Sequence, residues 1–132
     1  MLSCKQSLVR VLVVDDHELT RFSLKLALSA QKNIELVGLA SNGQEAIEVF
    51  KLKRPHVIVM DLQMPILDGL SASSQIKEID PNTQIIAYTS VEDPQTEVMG
   101  KAAKIDAFCQ KDAATKDLIN LIQQLGDCTE IN

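Results

Sequence analysis

The run Val57-Ile58-Val59-Met60 leads straight into Asp61 and, four residues later, Pro65. Four consecutive apolar residues with no charge among them read as a strand buried on both faces, the pattern of a parallel sheet covered by helices. Pro65 cannot donate to a strand ladder and biases Met64 away from helical geometry, so a loop must begin before Asp68-Gly69 opens the next element. Asp61 is thereby delivered to the carboxyl end of a buried strand, where open parallel sheets bind ligands. An Asp in that place usually does no more than start a turn. What else converges on it decides the matter.

The same design occurs earlier. Val9 to Val14 reads as a strand and ends in Asp15-Asp16. Leu19, Phe22 and Leu26 then fall at helical spacing, with Leu24 and Leu28 widening the stripe, so a helix is expected as far as about Gln31, broken by Asn33. A second strand is expected from Glu35 to Ala40. Ser41 with Gln44 and Asn42 with Glu45 are overlapping capping boxes for a second helix, whose buried face would be Ala46, Ile47 and Phe50. Lys51, Lys53 and Arg54 suit its negative carboxyl end, and Pro55 stops it.

After the central loop, Leu70, Ala72, Ile76 and Ile79 give a third helical stripe, closed by the turn Asp80-Pro81-Asn82. A fourth strand runs from Gln84 to Tyr88 and ends in Thr89-Ser90. Asp93-Pro94 has the form of a helix start, but β-branched Thr96 and Val98 and an internal Gly100 make a poor helix, expected to be the most mobile. Ile105 to Cys109 is a short fifth strand ending near Lys111. Thr115 caps a last helix with Leu118, Ile122 and Leu125 inward and Gly126 at its end. Residues 1–8 read as an N-terminal extension, 9–126 as the domain, and 127–132 as a frayed tail or the start of a linker.

Five strands alternating with five helices predict an α/β fold: a doubly wound five-stranded parallel sheet, flavodoxin-like, with strand order 2-1-3-4-5. In that order the first and third strands are neighbours, which brings Asp15, Asp16 and Asp61 together. The 132 residues suit one domain able to bury roughly two thirds of its unfolded surface. A net charge of −5 argues against direct nucleic-acid binding, which needs clustered Lys and Arg. Cys4, Cys109 and Cys128 show no Cys-x-x-Cys pair, so neither a disulfide framework nor a structural zinc site is expected, and a reducing cytoplasm is the simplest location. No apolar run approaches a membrane span, and no signal-peptide core precedes Cys4.

Three carboxylates in one crevice resist joint ionisation unless a cation neutralises them. All-oxygen ligands favour magnesium, which keeps waters for a phosphate to replace. A carboxylate can attack phosphorus, and the ion would clamp the oxygens of the transferring group. Thr89 and Lys111, at the ends of the fourth and fifth strands, add a hydroxyl and a cation. Singly, each residue has a plainer role as helix cap, strand end or solvated charge; spread over four strand ends, the combination outweighs those roles. His17 and His56 have no ligand spacing and read as polar loop residues.

These residues resemble the receiver domain of two-component response regulators: Asp15-Asp16, Asp61 in Met-Asp-Leu-Gln-Met-Pro, Thr89 and Lys111 each match a family position. Val-Asp-Asp-His, Ala-Ser-Asn-Gly-Gln-Glu-Ala and Lys-Asp are most similar to the NarL/FixJ subgroup. The resemblance covers nearly the whole chain. It implies that Asp61 accepts a phosphoryl group from a sensor histidine kinase or a phosphotransfer protein. It also implies that Asp16, Asp61 and the backbone carbonyl of Gln63 bind magnesium directly, with Asp15 acting largely through water. Thr89 and Lys111 would grasp the phosphoryl group, Phe108 matches the aromatic switch position, and Gln63 and Val91 match positions bordering the path of the hydrolytic water. Val91 offers that water an apolar wall, so slow self-dephosphorylation is expected.

The switched surface would be the face of the fourth helix, fifth strand and fifth helix, taken by a partner or a second copy. Control of transcription would run through an output domain or partner outside this chain. Lys104 and Ala107 depart from the family, standing where many relatives carry Gly. A haloacid-dehalogenase-type phosphatase would need a second Asp where Gln63 stands, and a flavodoxin-type carrier would find its flavin phosphate repelled by Asp15-Asp16. The chain is therefore expected to be a phosphoacceptor signalling domain rather than a turnover enzyme.

Overall fold

The computed structural model describes residues 8–64, 66–90 and 94–130, and for 94–97 and 128–130 the backbone alone. Expectations that rest on Pro65, Val91, Asp93, residues 1–7 and 131–132, or the side chains of Thr96 and Cys128, lie outside the described residues. Strands β1 (Val9–Val14), β2 (Ile34–Ala40), β3 (Val57–Met60), β4 (Gln84–Thr89) and β5 (Ala107–Gln110) alternate with helices α1 (Glu18–Ser29), α2 (Gly43–Lys53), α3 (Gly69–Ile79), α4 (Pro94–Ala102) and α5 (Thr115–Glu130). All pairings are parallel and the sheet order is β2-β1-β3-β4-β5, as the alternation of elements predicts. No described helix is long and apolar enough to cross a membrane.

Strand alternation sorts the core into two layers. Leu12, Ile58, Met60 and Ile85 point to one face and meet Ala46, Ile47 and Phe50 of α2 and Ala72 and Ile76 of α3. Val11, Val13, Val59 and Ile86 point to the other and meet Leu24 and Leu28 of α1 and Leu118 and Ile122 of α5. All four residues of β3 are fully buried, which is why its sequence is an unbroken apolar run. Local chemistry sets the helix starts. The Asn42 side chain accepts from Glu45 N at 2.8 Å, and the Glu45 carboxylate returns to Ser41, accepting from its N–H at 2.7 Å and its hydroxyl at 2.9 Å. Asp68 caps α3 through Ser71 N, and Asp80 closes the following turn through Asn82 N.

Several expectations are corrected. In α1 the buried residues are Leu24 and Leu28, whereas Leu19, Phe22 and Leu26 are 76%, 55% and 59% exposed. At 3.6 residues per turn the two sets lie on opposite sides of the helix, and the sheet can cover only one. In α3, Ile79 is exposed and Lys77 is buried instead, its ammonium 2.7 Å from Asp106 Oδ2, which also accepts from Ile85 N. The fifth strand starts at Ala107 rather than Ile105, because Ile105 N donates to Gly100 O and Lys104 N to Lys101 O, a Schellman end to α4. Lys104 there has φ 65, the left-handed geometry that favours Gly. Thr115 is the first residue of α5 rather than a residue before it.

Nor does Gly126 end α5, which continues to Glu130. Gly126 is buried where the helix crosses β1, and a Cβ there would collide with Val9 Cγ2 and lie 2.7 Å from Val9 Cγ1. Gly126→Ala gains about 1 kcal/mol in helix propensity but meets overpacking that costs about 1–3 kcal/mol. The variant is expected to unfold at lower urea concentration than the parent, with Val9→Ala restoring the midpoint in the double mutant. A rise in the midpoint of the single variant would contradict this packing.

Candidate functional site

Backbone pairing delivers the carboxylates. Asp15 N donates to Ala40 O at 3.0 Å and Asp61 N to Val14 O at 2.9 Å, so both residues continue the ladder one step past their strands. Their side chains converge at the carboxyl edge of the sheet, Asp15 1% and Asp61 4% exposed. Lys111 N donates to Thr89 O at 2.8 Å, tying the end of β5 to the last residue of β4, where Thr89 is buried. The Lys111 ammonium sits 2.7 Å from Asp15 Oδ2 and 3.5 Å from Asp61 Oδ2, over the edge of the Tyr88 ring. Asp61 Oδ1 accepts from Gln63 N at 3.2 Å, while Asp61 Oδ2 and Asp16 Oδ1 are buried atoms that accept no hydrogen bond and have only charge contacts, to Lys111 and His17.

His17 is a loop residue as read, but its ring joins this cluster, which its spacing in sequence did not suggest. Its Nδ1 is 2.9 Å from Asp15 Oδ1 and 3.2 Å from Asp16 Oδ1, and its backbone N–H donates to Asp15 Oδ1 at 2.8 Å. Direct adjacency to Asp16 was the available signal. Ligand atoms of Asp15, Asp16, His17 and Asp61 all lie within 4.8 Å of one another. His56, in contrast, accepts from Arg10 N at the entry to β1 and β3 and takes no part. Phe108 is partly buried, its ring packed on α4 where a Cβ at Gly100 would strike it. Gly100 is thus an accommodation for an aromatic ring as well as a weak helix former. Gln63 is exposed beside Asp61, and Ile66 in the same loop is exposed with φ 73, a strained conformation for a β-branched residue.

Three carboxylates against one ammonium leave the pocket short of positive charge. The Asp61 carboxyl is pushed up from its ordinary 3.8 to about 6, first by burial, with Asp15 and Asp16 adding to the rise against the Gln63 N–H and Lys111. Orphaned buried oxygens facing a convergent oxygen-rich donor set fit a divalent cation.

Over residues 11–123 the chain matches the family described as response regulator receiver domain. It belongs to that family. Among curated relatives, the response regulator protein VraR of Staphylococcus aureus is 34% identical over 116 residues, covering 88% of this chain and 56% of that protein. This receiver thus spans about half the length of the relatives it matches. Among solved structures, the response regulator domain of Thermotoga maritima CheB superposes with a TM-score of 0.83 at 29% identity, covering 91% of this chain and 97% of that one. The signal receiver domain of NarL from Mycobacterium tuberculosis gives 0.83 at 27%, covering 94% and 98%. The isolated receiver domain of RcsB from Salmonella enterica serovar Typhimurium, solved in the presence of the phosphomimetic BeF3−, gives 0.78 at 25%, covering 86% and 85%. The receiver is of the NarL/FixJ-like kind, a signalling domain of a two-component response regulator.

The raised Asp61 carboxyl sets a stability profile for the metal-free receiver. Because the folded state holds the proton more tightly than the unfolded chain, stability falls as pH rises from about 4 through about 6, and the full cost is present above that. Asp61→Asn removes a cost on the order of 2 kcal/mol. In chelator at pH 7.5 it should raise the thermal midpoint, and the gain should vanish below about pH 4. A gain that instead grows on acidification would contradict the assignment.

Proposed function

We propose that Asp61 is the phosphoacceptor and that Asp16, Asp61 and the Gln63 carbonyl hold magnesium, with Asp15 acting through water. The observation that carries this reading is a buried Asp61 oxygen that accepts no hydrogen bond, 3.5 Å from the Lys111 ammonium and inside a cluster of carboxylates. A bound cation would neutralise charge, relieving the cost of the ionised Asp61 and offsetting the charge of the incoming phosphoryl oxygens. Asp61 then attacks the phosphorus of a phosphohistidine. An O–P bond forms as the P–N bond breaks, and the donor imidazole keeps the electron pair. Lys111 and the Thr89 hydroxyl hold the transferred phosphoryl oxygens.

Donor and output surfaces follow from the same frame. The face of α1 bearing Leu19, Phe22 and Leu26 flanks the pocket and is left uncovered by the sheet, which suits the helices of a sensor histidine kinase or phosphotransfer protein. On the other side, Phe108 lies against Gly100, so a Thr89 drawn toward a phosphoryl group makes room for a ring movement that shifts α4. The face of α4, β5 and α5 is then the surface for a second copy or an output partner. VraR and NarL are response regulators, and control of transcription through such an output is the reading for the whole protein.

Treatment with acetyl phosphate and magnesium should add one phosphoryl group per chain by intact mass. Asp61→Asn or excess chelator should abolish it; labelling that survives either change would remove Asp61 or the metal from the mechanism.

Lifetime depends on the water that attacks opposite the aspartyl oxygen. Exposed Gln63 can hold such a water through its amide, whereas Val91 offers it no hydrogen bond. Val91→Glu should therefore speed loss of label after the donor is removed. Decay no faster than the parent, with Gln63→Ala alone altering the rate, would refute the apolar wall.

A further inference from the structure

We propose that His17 converts this carboxylate pocket into a mixed carboxylate–imidazole site that takes a first-row transition ion of the zinc(II) class in competition with magnesium. The inference rests on the reading of the pocket as a cation site and goes beyond it. Donors adjacent to one another around a divalent ion of this size lie about 3 Å apart. His17 Nδ1 stands 2.9 Å from Asp15 Oδ1 and 3.2 Å from Asp16 Oδ1, the spacing of neighbouring ligands. Beyond them lies Asp61 Oδ2, buried and accepting no hydrogen bond, with the Lys111 ammonium 3.5 Å away.

The imidazole is held by one hydrogen bond, between His17 Nδ1 and Asp15 Oδ1, which an ion taken up between them would replace. His17 is the residue before α1, its side chain makes no capping hydrogen bond, and it is 64% exposed, so the ring can turn toward an ion without disturbing the helix. Carboxylate and water ligands suit magnesium, whereas an imidazole adds affinity for zinc and its neighbours in the series and little for magnesium. His17 therefore discriminates between ions that the three carboxylates alone would rank by charge and size. An ion held by His17 as well as the carboxylates has one position fewer for a phosphoryl oxygen, so zinc and phosphoryl transfer should be antagonistic at this pocket.

The test uses the whole chain freed of metal, with ZnCl2 and MgCl2 as the probes. Calorimetry should show His17→Ala lowering zinc affinity by about ten-fold or more while magnesium affinity stays within about two-fold of the parent. The chain has two histidines, so imidazole 15N signals resolve. Zinc should shift the His17 Nδ1 signal, and magnesium in excess should reverse the shift; His56 is the internal control. An unmoved His17 signal, or a His17→Ala variant that binds zinc as tightly as the parent, would overturn the proposal and leave the ring as a hydrogen-bond donor to Asp15. If the parent binds magnesium and is labelled by acetyl phosphate in that same series, only the imidazole inference has failed. A parent that binds neither ion overturns the cation pocket itself.

Discussion

Three carboxylates and one ammonium share a pocket in which Asp15 and Asp61 are buried while Asp16 reaches solvent, and most of the structure serves to hold them there. Left alone, Asp15, Asp16 and Asp61 would repel one another and retreat into water. They cannot, because Asp15 and Asp61 are the next ladder residues after two strands whose side chains are almost wholly buried. The penalty is visible in the Asp61 carboxyl, which burial pushes up to about 6. A site that is uncomfortable without a cation is one whose occupancy and charge state can be read by the rest of the domain.

The two faces of the sheet treat that strain differently. On one, Leu24, Leu28, Leu118 and Ile122 seal the layer of α1 and α5 against fully buried valines. On the other, the ring of Phe108 meets α4 at Gly100, where a Cβ would strike it. At the opposite end of the strands, the Lys77–Asp106 pair and its bond to Ile85 N pin the start of β5 to β4 and α3. Only the Lys77 side of that pair is buried, Asp106 standing at the surface.

Much of this was legible beforehand. The unbroken run of β3 announced a strand buried on both faces, Asn42 and Asp68 announced helix starts, and the ordering of elements announced a crevice collecting Asp15, Asp16, Asp61, Thr89 and Lys111. These signals are local or follow from chain topology, so they survive without coordinates. What failed needed knowledge of facing surfaces. The apolar residues of α1 occupy two opposite sides, and nothing in their spacing says which side the sheet covers. Gly126 has the look of a helix end until Val9 is known to lie against it, and Ile79 belongs to the apolar stripe of α3 until the sheet is seen to leave it exposed.

The sequence by itself determined the elements, their order and the type of chemistry at the strand ends, because hydrophobic period, capping residues and strand-terminal carboxylates act within a few residues of one another. Only the tertiary structure decided which helix face is buried, that Lys111 bridges Asp15 and Asp61, and that the largely exposed ring of His17 reaches the carboxylates. Those outcomes depend on distances between side chains brought together by the sheet, and such distances are properties of packing rather than of spacing along the chain.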